Sequence, residues 1–205
     1  MVNRATVTDL LHSYFIVEGP VEIQDNGVIH GPNATILDRT SQFPNGMLPV
    51  QFGQVHKFHM SGTNLRSMQG FPTSCNILII SHNELDSWAH CPQTYEIRAT
   101  GNKFRDLNQI PAQVRELRVA RCPLENIRDV PDLDFLYVSF DLKLGMLPAL
   151  KCKKVNLMAP EHVEPPLLRD QLQRILDKYA GQGRKGALKC AAELIRAGFK
   201  DNARW

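Results

Sequence analysis

A phrase of the form apolar-x-x-apolar-x-apolar-x-x-(Asn/Cys)-x-apolar returns every nineteen or twenty residues through the middle of this chain. The clearest copy is Cys75-x-x-Leu78-x-Ile80-x-x-Asn83-x-Leu85. Val55, Phe58, Met60, Thr63 and Leu65 make the copy before it, and Thr94, Ile97, Ala99, Asn102 and Phe104 the copy after. Val114, Leu117, Val119, Cys122 and Leu124 follow, then Leu133, Leu136, Val138 and Asp141, then a decayed copy with Cys152, Val155 and Leu157. Counted from the first apolar residue of each short strand (58, 78, 97, 117, 136, 155), the steps are 20, 19, 20, 19 and 19. A register held that long selects a stacked repeat array over a single globular core for the 205 residues.

The predicted fold is an α/β repeat solenoid: a slim, parallel β-sheet with irregular loops on its convex side, closed at both ends. Each repeat carries a proline shortly before its strand (Pro72, Pro92, Pro111, Pro131, Pro148). Proline fixes φ and donates no hydrogen bond, which favours extended segments over helices there. Residues 1–50 are predicted as an N-terminal cap. A short helix is expected at Thr8 to Tyr14 with Thr8 as its cap, then strands around Phe15, Val21 to Ile23 and Val28 to His30. The solenoid of about six repeats is assigned to 51–160. Pro160, Pro165 and Pro166 mark its end, and a basic helical hairpin capping the array is assigned to 161–205. In the hairpin Leu168, Leu172, Ile175, Leu176 and Tyr179 are expected on the inner face of the first helix, and Leu188, Ala191, Ala192 and Ile195 on that of the second.

Composition narrows the class further. An apolar fraction of 43 % is that of a folded protein. No uncharged apolar run of about eighteen residues occurs, and the first residues lack a signal-peptide core, so a cytoplasmic protein is expected. Five cysteines without a CxxC pair, three of them at inward repeat positions, point to buried thiols and away from a disulfide framework.

The run Leu48-Pro49-Val50-x-Phe52-Gly53-x-Val55, Phe58, Ser61-Gly62-x-Asn64-Leu65, Met68-x-Gly70-x-Pro72 resembles the degenerate leucine-rich repeats of tailed-phage and prophage proteins. The proline-bearing unit is also similar to the repeats of secreted bacterial effectors. The likeness covers residues 15 to 158, and Ala99, Asp141 and Pro160 depart from its pattern. It implies a binding scaffold in the bacterial host cytoplasm, with a virion component as the other location. Effector relatives that are ubiquitin ligases carry a cysteine two residues before an aspartate; no cysteine here has that neighbour.

Alternation along each strand sends three columns of side chains out of the sheet. They are Lys57, Ile77, Glu96, Glu116, Phe135, Lys154; His59, Ile79, Arg98, Arg118, Tyr137, Asn156; and Ser61, Ser81, Thr100, Ala120, Ser139, Met158. Ile77, Ile79, Phe135 and Tyr137 are apolar for a solvated face, with Arg98, Glu116 and Arg118 among them, and aromatic and arginine side chains dominate binding hot spots. These seven are the predicted partner-binding residues. The alternative is that Glu96, Arg98, Glu116 and Arg118 form cross-strand ion pairs while the apolar residues are covered. Asn83 and Asn102 are expected to be structural, bonding backbone groups at the strand ends.

From residue 163 onward nine Lys or Arg stand against five acids. Arg169, Arg174, Arg184, Lys185, Lys189 and Arg196 form an alternative basic site for nucleic acid or an acidic partner, although a solvated helix face explains them too. His56, His59, His82 and His90 lack metal-ligand spacing, and the glycines at 181, 183 and 186 lack the order of a phosphate loop. No metal, cofactor or catalytic constellation is therefore predicted. The expected function is a non-enzymatic protein-interaction scaffold with a partner of unknown identity; no membrane role is expected, and the sequence leaves the oligomeric state open.

Overall fold

Parallel strands recur at the steps set by the repeat. A computed structural model describes residues 3–141, 143–158 and 166–205, which form two units, Met1–Lys103 and Phe104–Trp205. Each contains a stretch of parallel β-solenoid. Pro160 and Pro165, read above as the end of the array, lie outside the described residues.

The first unit begins with helix α1 (Arg4–Tyr14), which buries Val7 and Leu11 one turn apart. Asn3, not Thr8, caps it: the Asn3 side chain accepts from the Ala5 N–H at 3.0 Å. Thr8 sits within the helix and returns its hydroxyl to the Arg4 carbonyl. Helix-period apolar residues begin only at Val7, so the sequence hid the first turn. Strands β1 (Phe15–Glu18) and β2 (Glu22–Ile23) both pair antiparallel with β3 (Ile29–Asp38). Strand β3 then pairs parallel with β4 (Phe52–His59), so it ends the cap and opens the solenoid. The strand expected around Val28 to His30 runs on to Asp38: its pairing with β4 shifts register between Gly31 and Thr35, across Pro32, and resumes beyond.

Strands β5 (Ile77–Ile79) and β6 (Glu96–Arg98) continue in register, Phe58 opposite Leu78 and Leu78 opposite Ile97. Those residues, with Met60, Ile80 and Ala99, are fully buried, each large side chain stabilising by about 2 kcal/mol. Aromatic rings tie cap to repeats. Phe15 contacts Phe43 and Phe52 with centroids 5.5 and 5.1 Å apart, and Phe58 contacts Phe52 and Phe71 at 5.2 and 5.1 Å.

Between strands the chain runs mostly through bends and turns. Before the strand at Lys154–Met158 it forms a short 3-10 helix (Leu147–Lys151) with Pro148 in its first turn, in place of the predicted extended segment, because proline is tolerated at a helix start. Pro72, Pro92, Pro111 and Pro148 are buried in these connections and Pro131 is half-buried. Gly70 turns one connection at φ +84°, where a Cβ would lie 2.7 Å from the Val50 carbonyl oxygen.

Two amides hold the strand ends of this unit. The Asn83 Oδ1 accepts from Thr63 N, Thr63 Oγ1 and Leu65 N, all at 3.0 Å, and its Nδ2 donates to Met60 O at 2.6 Å and Ile80 O at 3.1 Å. Asn102 repeats the pattern one turn later, accepting from Leu85 N and donating to Ile80 O and Ala99 O.

In the second unit, β7 (Glu116–Arg118), β8 (Phe135–Ser139) and β9 (Lys154–Met158) pair in parallel, aligning Leu117, Leu136 and Val155. The last copy, decayed in sequence, is a full five-residue strand. Helix α2 (Pro166–Tyr179) packs on β9. Its Gln173 side chain donates to Val155 O at 2.6 Å and accepts from Leu157 N at 2.8 Å, as a neighbouring strand would. Helix α3 (Gly183–Arg196) follows and packs on α2. The tail returns to the loop after β8, where buried Asn202 donates to the Asp141 and Leu144 carbonyls at 2.8 Å each.

Leu172, Ile175, Leu176 and Tyr179 face inward on α2, while Leu168 is half-buried. The inner face of α3 is not the predicted one. Ala187, Cys190 and Leu194 are buried, whereas Leu188 is 84 % and Ile195 56 % exposed. Small residues at 186, 187 and 190 let α3 approach closely, and the larger side chains point away.

The Asn83 amide predicts a stability effect. Asn83→Ala strands two buried N–H groups, those of Thr63 and Leu65, and the Met60 carbonyl, while Ile80 O keeps Asn102, and should cost about 3 kcal/mol in urea-induced unfolding. A loss below about 1 kcal/mol would show that water satisfies these groups equally well.

Candidate functional site

Strand alternation decides which side chains leave the core, and it places the predicted columns on the outer strand face of each unit. In the first unit Lys57, Ile77 and Glu96 stand in one row and His59, Ile79 and Arg98 in the next. Ile77 is half-buried. Ile79 is only 9 % exposed, so most of its apolar surface is already covered. Arg98 is exposed and pairs along its own strand, Nε to Glu96 Oε1 at 2.6 Å. That contact is an intrastrand ion pair, two residues apart on one face.

In the second unit Glu116, Phe135 and Lys154 form one row and Arg118, Tyr137 and Asn156 the other. Glu116, Arg118, Phe135 and Tyr137 are all half-buried. The Arg118 guanidinium carbon lies 4.7 Å from the centroid of the Phe135 ring, within cation–π range. The contact sets the guanidinium over the Phe135 ring, while Arg118 itself stands opposite Tyr137 in the strand pairing. Among the third-column residues, Ala120 is buried and the Ser139 hydroxyl accepts from Arg121 N at 2.7 Å, which takes both out of the exposed face.

The basic residues of the tail divide. Arg169 pairs with Asp170, and Arg174 Nε donates to the Asp170 carbonyl at 3.2 Å. Arg184, Lys185, Lys189 and Arg196 are exposed on α3. Glu193, the acid of that helix, accepts from Lys178 Nζ at 2.7 Å and Tyr179 Oη at 2.8 Å and so is directed at α2.

Cysteines and histidines are accounted for locally. Burial pushes the Cys75 thiol up to about 11 and the Cys152 thiol up to about 12, the opposite of an activated nucleophile. His56 shares a 3.2 Å contact with Asn76, and His82 and His90 occupy positive-φ turns. Among the described residues no three His, Cys, Asp or Glu side chains gather as a metal site, and no helix is long and apolar enough to cross a membrane. Sequence reasoning missed Gln173 and Asn202, whose roles depend on backbone groups distant in the chain.

His59 gives the outer face a pH dependence. Burial holds its pKa below the ordinary 6.5; Asp38 opposes this, and Lys57 and Arg98 add to it. The unfolded chain therefore takes up this proton first as pH falls through 6.5, so the native state loses stability from there down to the folded pKa. Wild type should lose stability relative to His59→Gln between pH 7.5 and 5 in paired denaturation curves. A difference that stays flat or grows in favour of wild type would contradict a desolvated His59.

Comparison of the chain with protein-family models, with curated proteins and with solved structures gave no match. The functional reading accordingly rests on the geometry of these faces.

Proposed function

We propose that the chain is a non-enzymatic interaction scaffold, a leucine-rich-repeat-like solenoid of the phage type, working in the bacterial cytoplasm and holding a protein partner on the concave side of its strands. The observation that carries this reading is the Arg118, Phe135 and Tyr137 cluster on β7 and β8. Two half-buried aromatic rings and a stacked guanidinium stand on paired strands, so little side-chain freedom remains to be lost when a partner covers them. Glu116 borders the cluster and adds a polar rim. Ile77, Ile79 and Arg98 form a smaller apolar and cationic patch on the first unit, where Ile79 has little surface left to offer.

The test is a paired affinity purification from expressing bacteria followed by titration of the recovered protein. Arg118→Ala with Tyr137→Ala should leave unfolding nearly unchanged and weaken binding by about 2 kcal/mol or more. Arg184→Ala with Lys185→Ala should bind as wild type does. If the tail variant loses the partner in a salt-dependent way while the strand variant retains it, the proposal fails.

A further inference from the structure

The corrected orientation of α3 leaves a face that neither core packing nor solvation explains. Successive residues of a helix turn by about 100°, so Arg184, Ile195, Leu188, Lys185, Arg196 and Lys189 fall in that order across a single arc. Both apolar members are large and exposed, at 84 % for Leu188 and 56 % for Ile195. They stand one above the other, two turns apart. The four cations surround them, and among the described residues Arg184, Lys185 and Lys189 have no acidic partner. Glu193 lies off the arc and is spent on Lys178 and Tyr179.

We infer that the outer face of α3 docks an acidic amphipathic helix of another protein, independently of the strand face. Charge complementarity selects this occupant. A second copy of the chain meeting it face to face would set cations against cations. A nucleic acid would satisfy the cations but would leave Leu188 and Ile195 against phosphate, and no aromatic side chain stands on the arc for base stacking. A helix with leucines at i, i+3 or i+4 and i+7 and glutamates beside them meets both requirements at once: its apolar stripe covers Leu188 and Ile195 while its carboxylates reach the flanking cations. Arg174 and Arg196 also line a shallow groove between α2 and α3, of about 540 Å³, at the edge of this face, which extends the cationic rim toward α2.

The experiment titrates the full chain into a labelled leucine/glutamate peptide of about eighteen residues, long enough to match α3. Comparison ligands are a scrambled peptide of the same composition, a duplex DNA, and vesicles of mixed phosphatidylglycerol and phosphatidylcholine. The amphipathic peptide should bind about tenfold or more tightly than its scramble. Leu188→Ser with Ile195→Ser should weaken it about tenfold, as should Lys185→Glu with Lys189→Glu. Melting temperature should be unchanged in the serine variant, because both side chains are outside the core. Failure of the peptide to bind, equal binding of the scramble, indifference to the serine variant, or unfolding of that variant would each overturn the inference. Tighter binding of DNA or of vesicles than of the peptide would overturn it in favour of that ligand.

Discussion

A strand of three residues buried on one side cannot satisfy its own ends, and the Asn83 carboxamide is the group that makes such strands stable in the first unit. Its oxygen accepts from two backbone N–H groups of the preceding repeat and its nitrogen donates to carbonyls of both repeats. Without it the segment after β4 would bury the Thr63 and Leu65 N–H groups and the Met60 carbonyl with no side-chain partner, a cost that falls on a twenty-residue unit with a small apolar core. Asn102 passes the arrangement on by one repeat, and Thr63 begins it, donating its hydroxyl to Asn83. The core layers and the outward columns inherit their register from these bonds.

This dependence explains what was legible in the sequence. Phe58, Leu78, Ile97, Leu117, Leu136 and Val155 announced strands because a buried column needs one apolar residue per repeat, and the spacing of those residues is the pairing register itself. Asn83 was legible for the same reason. Positions that act across long separations left no local trace. Gln173 seals the edge of β9, and Asn202 reaches carbonyls near Asp141, yet both look like ordinary polar residues in helical or terminal sequence. Helix α3 misled in a different way. Amphipathic counting follows the largest apolar residues, but close approach was achieved by Gly186, Ala187 and Cys190, leaving Leu188 and Ile195 outside.

Surfaces follow from the same geometry. Because every second strand residue is committed to the core, the remaining ones are presented on a backbone that is already ordered, and Arg118, Phe135 and Tyr137 gain their fixed geometry from that fact. Helix α3 offers the contrasting kind of surface, apolar residues ringed by charge on a single helix. The two differ in chemistry and are altered by different substitutions, so the two surfaces can be tested separately.

The repeat-to-repeat amide is the centre of this account, and hydrogen exchange tests it most directly. The N–H groups of Thr63, Leu65 and Leu85 lie in turns, outside every strand, yet each donates to a buried asparagine oxygen. The account predicts that these three exchange as slowly as the central strand amide of Leu78, because both require opening of the same layers. Exchange of Thr63, Leu65 and Leu85 at the rate of exposed turns, with Leu78 still protected, would contradict it.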